Sequence, residues 1–223
     1  MFIFKNISSD DMGVVVEEET NILGKASQRY NKYEFEGRNG AFFDTNGYAV
    51  VEKTLKIQIL DLKKIDLIMG WLDGIGILEY NGRITKARFY NEINPTRIAS
   101  IRIAEVSFIR DPFWNKKRDD FVNIEDIIFN EGNIYSEPIF LLRKNQTNDV
   151  DVSIGNVRFK YHFKGEESVE INSEEKTVLY KELNRNRQIE IGYEFPILLP
   201  GENKVIIHSG DCELFVKRKD RWL

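Results

Sequence analysis

The sequence predicts a mainly β protein with one short helix, divided into two domains. Three observations carry this. Apolar and polar residues alternate at period two through many short runs, most cleanly at Val157, Phe159, Tyr161 and Phe163, with Arg158, Lys160 and His162 facing away. A single stretch, near residues 61–74, switches to a period of about 3.6. Beyond residue 134, short strands recur roughly every ten residues, the rhythm of a β-sandwich.

The chain begins with a strand, a turn over Ser8 to Gly13, and a strand through Val14, Val15 and Val16. Residues 21–36 are polar around Gly24 and read either as a projecting hairpin arm or as a disordered loop. The Gly- and Asn-rich segment from Gly37 leads into a strand whose Leu55, Ile57 and Ile59 share one face. The helix follows. Leu62, Ile65, Ile68, Met69 and Leu72 form its apolar stripe, Asp61 its N-cap and Gly74 its C′ residue. Leu67 and Trp71, four residues apart, are placed on the opposite side. Either a loop or second sheet of the same chain covers them, or another subunit does. Gly70 costs about 1 kcal/mol in a helix and is read as room for a close neighbour.

Ile75, Ile77 and Tyr80 resume a strand, and Asn81-Gly82 is a two-residue hairpin signal leading to Ile84, Ala87 and Phe89. From Ile98 to Ile109 the alternation slips phase, which predicts a bulge at Ala104 and Glu105. Asp111-Pro112 ends that strand. The turn Asn130–Asn133 places the domain break near 134, giving domains 1–134 and 135–223. In the second, Val169 with Ile171, Val178 with Tyr180, Ile189 with Ile191, Val205 with Ile207 and Leu214 with Val216 continue the strands, and Pro200-Gly201 centres a turn.

Composition bounds function. The chain has 223 residues, 42% hydrophobic and 30% charged, with net charge −4 and a pI near 5.5. That balance argues against specific nucleic-acid binding, and the basic run Lys217–Arg221, broken by Asp220, reads as a solvated strand edge. The single cysteine, Cys212, excludes an internal disulfide and reads as a small buried hydrophobe. No signal peptide and no membrane-length apolar run are recognisable, so no membrane partner is expected and synthesis is expected in a cytoplasm.

No reacting group stands out. The two histidines, His162 and His208, lie in separate strand patterns and read as packing or surface residues. Gly74-Ile75-Gly76 ends a helix, the wrong context for a phosphate cradle. The pairs Glu166-Glu167 and Glu174-Glu175 fall in polar stretches and read as solvated charges. No catalytic, cofactor-binding or metal-binding set is expected, and the chain is read as no enzyme.

Several pieces, taken in order, resemble the distal tail protein (Dit) family of long-tailed bacteriophages and phage-tail-like particles. They are Asn6–Val14, Gly37–Gly40, Ile68–Leu78, Ala87–Tyr90, Phe108–Trp114, Asn130–Pro138, Phe195–Asn203 and Arg221–Leu223. Their order and spacing over nearly the whole chain carry the resemblance. It implies an N-terminal β-sandwich with one helix and a hairpin arm, followed by a C-terminal galectin-like β-sandwich, with the last residues packing back on the first domain. It also implies a homohexameric ring in the virion at the tail tip, assembled in the host bacterial cytoplasm. Such a ring joins the tail tube and tape measure protein to the tail-associated lysin and the receptor-binding and baseplate proteins. Some members carry carbohydrate-binding insertions, for which this chain reads as too short.

A ring subunit needs two different complementary surfaces. The candidates are the arm with Gly24, the outer helix face with Leu67 and Trp71, and a strand edge at Glu105. Part of the run Glu17–Glu19 is expected to face the lumen through which DNA passes. A lectin-like carbohydrate-binding module, suggested by the second sandwich, is the alternative to the hub.

Overall fold

The computed structural model describes residues 1–17, 22–98, 101–192 and 194–223. The chain is mainly β with one short α-helix and forms two compact units, Met1–Lys117 together with Leu223, and Arg118–Trp222. The division falls at 117/118, earlier than residue 134. The reason is pairing. Strand Val122–Ile124 joins Cys212–Lys217, and Ile127–Asn130 joins Gly201–Ser209. Both joining strands leave apolar residues exposed (Val122, Ile127 and Phe129), so their alternation does not announce a core.

Unit 1 is built on one antiparallel path. Its strands run, in spatial order, Ile7–Ser8, Ile3–Phe4, Gly74–Tyr80, Arg83–Phe89, Ile101–Arg110, Val51–Ile59 and Val14–Val16. One face of this path is the core: Phe4, Leu78, Phe89, Phe108, Leu55, Ile57 and Ile59 are all buried. The rings of Phe4, Phe89 and Phe108 follow one another at 4.7 and 5.2 Å. Each such side chain contributes about 1.5–3 kcal/mol by leaving water. At Asn81-Gly82 both residues have positive φ (51° and 71°), the geometry a tight hairpin of the strands' own twist requires.

Strand Ile101–Arg110 differs from expectation in two ways. Its register against Val51–Ile59 runs unbroken from Arg102 opposite Ile59 to Arg110 opposite Val51, so Ala104 and Glu105 form no bulge. Nor is it an edge. Its other side pairs with Thr96–Ile98 and with Arg83–Phe89, and between them the Asn91 side chain bridges the gap. Asn91 Oδ1 accepts from the Ser107 amide at 2.7 Å, and Nδ2 donates to the Glu105 carbonyl at 3.3 Å. The apparent phase slip has a plain cause: Ala104, Val106 and Phe108 face the core, whereas Ile103 lies on the opposite face near the strand's start.

Unit 2 is a two-sheet sandwich. Among the described residues, one sheet orders the strands Val122–Ile124, Cys212–Lys217, Ile139–Lys144, Ser168–Asn172, Thr177–Tyr180 and Leu183–Asn184. The other orders Ile127–Asn130, Gly201–Ser209, Asp149–Ile154, Val157–His162 and Ile189–Ile191. Phe140, Leu142, Ile171 and Leu214 from the first meet Val150, Val152, Phe159 and Tyr161 from the second in a single core. The alternation at 157–163 is borne out.

Charged groups expected in solvent are instead part of this unit's framework. The Glu166 side chain is buried, accepting from the Lys164 amide at 2.6 Å and pairing with Arg185 Nε at 2.6 Å. Burial acts to raise its pKa, but hydrogen bonds from its own and the Lys164 amides, with Gln188 and the Arg185 charge, outweigh that and lower it. The basic run 217–221 is neutralised by carboxylates. Arg218 reaches Glu131 at 2.9 Å and Asp220 at 3.2 Å, and Arg221 reaches Glu137 at 2.7 Å and Glu174 at 3.1 Å. Cys212 is half-buried, and burial, aided by Asp211, pushes its thiol up to about 11.

Candidate assembly surface

The arm exists, displaced from its predicted span. Strand Gln28–Tyr33 pairs with Phe42–Tyr48 as a two-stranded sheet, and residues 34–41 form its tip. Thus the Gly37–Gly40 segment turns the arm's end and does not lead directly into the core strand. Every residue of both strands is exposed except Tyr48, which is half-buried. Each face carries one aromatic pair: Tyr30 with Phe43 at 5.3 Å, and Tyr33 with Phe42 at 6.3 Å. Such cross-strand pairs are worth about 0.2–1 kcal/mol each, and a lone hairpin is marginal in water. With Phe35 at the tip, these rings leave on the order of 500 Å² of apolar surface in solvent, against about 800 Å² per partner in a standard interface.

The helix resolves the two readings of its outer face. A 3₁₀ turn at Leu62–Lys64, capped by Asp61 Oδ1 accepting from the Lys63 amide at 3.0 Å, leads into the α-helix Ile65–Trp71. Trp71 is 4% exposed and Leu67 63%. The Trp71 indole stacks on Phe2 at 5.4 Å, and its Nε1 donates to the Phe4 carbonyl at 2.8 Å. Trp71 therefore belongs to the subunit's own core and offers no ring to a neighbour. Its spacing held the answer: Trp71 follows Ile68 by three residues and precedes Leu72, and all three are buried together. Leu62, assigned to the stripe, is exposed. Leu67 alone remains on the outer face, beside an exposed Gly70 where an added Cβ would meet nothing within 4 Å. Gly74, with φ of 75°, sits two residues beyond the C-cap Leu72 and opens the next strand.

The other two candidates do not join Leu67. Gly24 lies at the arm's root, half-buried, with its carbonyl accepting from Arg110 Nη2. Burial of the Arg110 guanidinium lowers its pKa to about 10, with Asp111 acting against the shift. Glu105 is exposed on a paired strand, opposite Lys56. Ile75 and Ile77, which the sequence marks simply as strand residues, are exposed on the outward face of Gly74–Tyr80. Their alternation with Gly76 and Leu78 was the available signal. Of the acidic run, Glu17 accepts from Gln58 Nε2 at 3.4 Å, and Glu18 and Glu19 lie outside the described residues.

Neither histidine pairs with the other. His162 lies between Asp149 at 2.7 Å and Glu190 at 3.0 Å, and His208 Nε2 contacts Ser153 Oγ at 2.7 Å. Among the described residues, no group of three or more His, Cys, Asp or Glu could hold a metal ion, and no helix is long and apolar enough to cross a membrane.

Residues 131–222 match the family described as siphovirus-type tail component, C-terminal domain. The likeness in fold extends over the rest. The crystal structure of Dit from phage SPP1, described as a paradigm of the hub adsorption apparatus in Gram-positive infecting phages, aligns with 100% of this chain and 98% of its own. Identity is 10% and the TM-score 0.73. The phage P2 baseplate in its activated conformation with Ca aligns over 98% of this chain and 97% of its own at 11% identity, with a TM-score of 0.42. The same baseplate with Sr aligns over 93% of this chain and 91% of its own at 10% identity, with a TM-score of 0.36. No curated protein matches the sequence. The chain thus combines a stretch similar to a siphovirus-type tail component domain, residues 131–222, with a fold like that of SPP1 Dit over its whole length.

Proposed function

We propose that this Dit-like chain is the hub of a phage tail tip, closing as a homohexameric ring in the virion after assembly in the host cytoplasm. The ring joins the tail tube and tape measure protein to the tail-associated lysin and to receptor-binding and baseplate proteins. It acts by shape and docking, without catalysis. The observation that carries this reading is the arm, a hairpin with aromatic pairs on both faces and no core of its own. A heterologous contact, in which one copy's arm meets a different surface of the next, closes into a ring when the rotation allows. Among the exposed apolar residues of unit 1, Leu67, Ile75 and Ile77 are offered as receiving surface. The named precedent, SPP1 Dit as a hub, supports the same reading.

The test is light scattering with negative-stain microscopy of the purified chain, alone and with co-expressed tail proteins. Six-fold rings in either preparation are expected. A monomer at every concentration and with every neighbour would overturn the hub.

A further inference from the structure

We propose that the segment Arg110–Trp114 is a socket that fixes the direction in which the arm leaves unit 1, with Arg110 and Phe113 as positioning residues for assembly. This rests on the reading above, that the arm meets a neighbouring copy.

The arm is tied to its unit at the root. Ser27, before its first strand, and Ala49, after its second, are joined by a hydrogen bond from the Ala49 amide to the Ser27 carbonyl at 2.9 Å. The same five-residue segment touches both the entering and the leaving chain. On the entering side, Arg110 Nη2 donates to the Gly24 carbonyl, between the buried Ile22 and Ala26. On the leaving side, the Phe113 ring meets Tyr48, the last arm residue, edge-on at 5.3 Å and 69°.

Arg110 also holds the segment itself in shape. Its Nη1 donates to the carbonyls of Asp111 at 2.7 Å and Pro112 at 3.1 Å, and its guanidinium carbon lies 4.9 Å from the Trp114 ring. Pro112 adds a fixed φ. The choice of residue is informative. Arg110 is 1% exposed and continues the inward face of Ala104, Val106 and Phe108. An apolar side chain would be buried there at far lower desolvation cost. What an arginine adds is direction, through hydrogen bonds to three carbonyls, one of them on the arm's root.

Leverage makes the root angle consequential. Six strand residues at about 3.3 Å each place the arm's tip roughly 20 Å from the root, so a tilt of about 10° moves it by roughly 3 Å. That displacement equals a whole hydrogen-bond length, enough to spoil a close-packed contact.

The experiment is hydrogen exchange on the full chain, comparing wild type with Arg110→Met and, should that variant fail to fold, with Phe113→Leu. The Ala49 amide is expected to exchange about tenfold faster, while the amides of strand Val51–Ile59 keep their protection and ring formation falls. Wild-type exchange at Ala49 in a folded variant overturns the socket. A loosened root with undiminished assembly overturns its positioning role. A third chain, with residues 28–48 replaced by a short Gly-Ser linker between the adjacent Ser27 and Ala49, separates the two proposals. If it assembles like wild type, the arm-contact reading has failed, and exchange alone then decides whether the segment anchors the arm.

Discussion

The arm and the strand Val157–His162 are made of similar residues and meet opposite fates. Both carry aromatics at close spacing: Tyr30, Tyr33, Phe42 and Phe43 in one, Phe159, Tyr161 and the following Phe163 in the other. In unit 2 the aromatics are buried against the facing sheet, and Tyr161 and Phe163 pack edge-on at 4.7 Å. In the arm Tyr30 pairs with Phe43 and Tyr33 with Phe42, and all four rings stay in solvent. The difference lies in what stands opposite. Unit 2 supplies a second sheet, so its aromatics stabilise the subunit; the arm has none, and in the proposed ring its aromatics serve a contact between molecules.

The largest expected effect tests that contrast directly. Phe159→Ala should cost about 3–5 kcal/mol of unfolding free energy, measured by denaturant titration, with assembly lost only as folding is lost. Phe42→Ala should leave subunit stability within about 0.5 kcal/mol yet weaken ring formation in light scattering. Equal losses of stability in both would erase the distinction.

The helix repeats the comparison on a smaller scale. Trp71→Ala removes the stacking on Phe2 and the indole hydrogen bond to the Phe4 carbonyl, for an expected loss of about 3–5 kcal/mol. Leu67→Ala should be nearly silent in unfolding and visible only in assembly. Smaller still is Gly70→Ala, expected to stabilise the isolated subunit by up to about 1 kcal/mol, because the added methyl meets nothing. If it raises the melting temperature while impairing ring formation, a neighbouring copy approaches the helix at that point.

The smallest effect is a pH dependence in unit 2. Hydrogen bonds to Asp149 and then Glu190, one on each neighbouring strand, raise the His162 pKa above its ordinary value of about 6.5. A group whose folded pKa is raised favours the folded state fully at pH below 6.5, and that contribution fades as pH climbs through the folded value. The stability advantage of wild type over His162→Gln should therefore be larger at pH 6 than at pH 9. The imidazole is more than a third exposed, so solvent screening keeps the difference small.

Period-two alternation located the core strands because a face turned toward a packed sheet must be apolar at every second residue. It failed at Ile127–Asn130 and in the arm, where apolar residues face solvent and the pattern points to no interior. The tight turn at Asn81-Gly82 was legible because its backbone conformation admits few residue types. Glu166 alone of the acidic pairs departs from a solvated charge, for a related reason: it looks like any loop carboxylate until Arg185, nineteen positions away, is brought against it.

Of the candidate surface, the sequence leaves open what covers Leu67 and Trp71; Leu67 is exposed, and Trp71 lies on the side of Ile68, because its spacing from Ile68 governs. Gly24 and Glu105 were located in sequence, but what they touch depends on Arg110 and Asn91, which no local pattern connects to them.

By itself the amino-acid order settled the β class, the one short α-helix and the Asp61 cap of the 3₁₀ turn that leads into it, because these follow from contacts within a few residues. Folding in three dimensions decided which apolar faces are covered, where the units divide and what holds the arm's root. Those outcomes depend on partners distant along the chain, whose approach local periodicity does not encode.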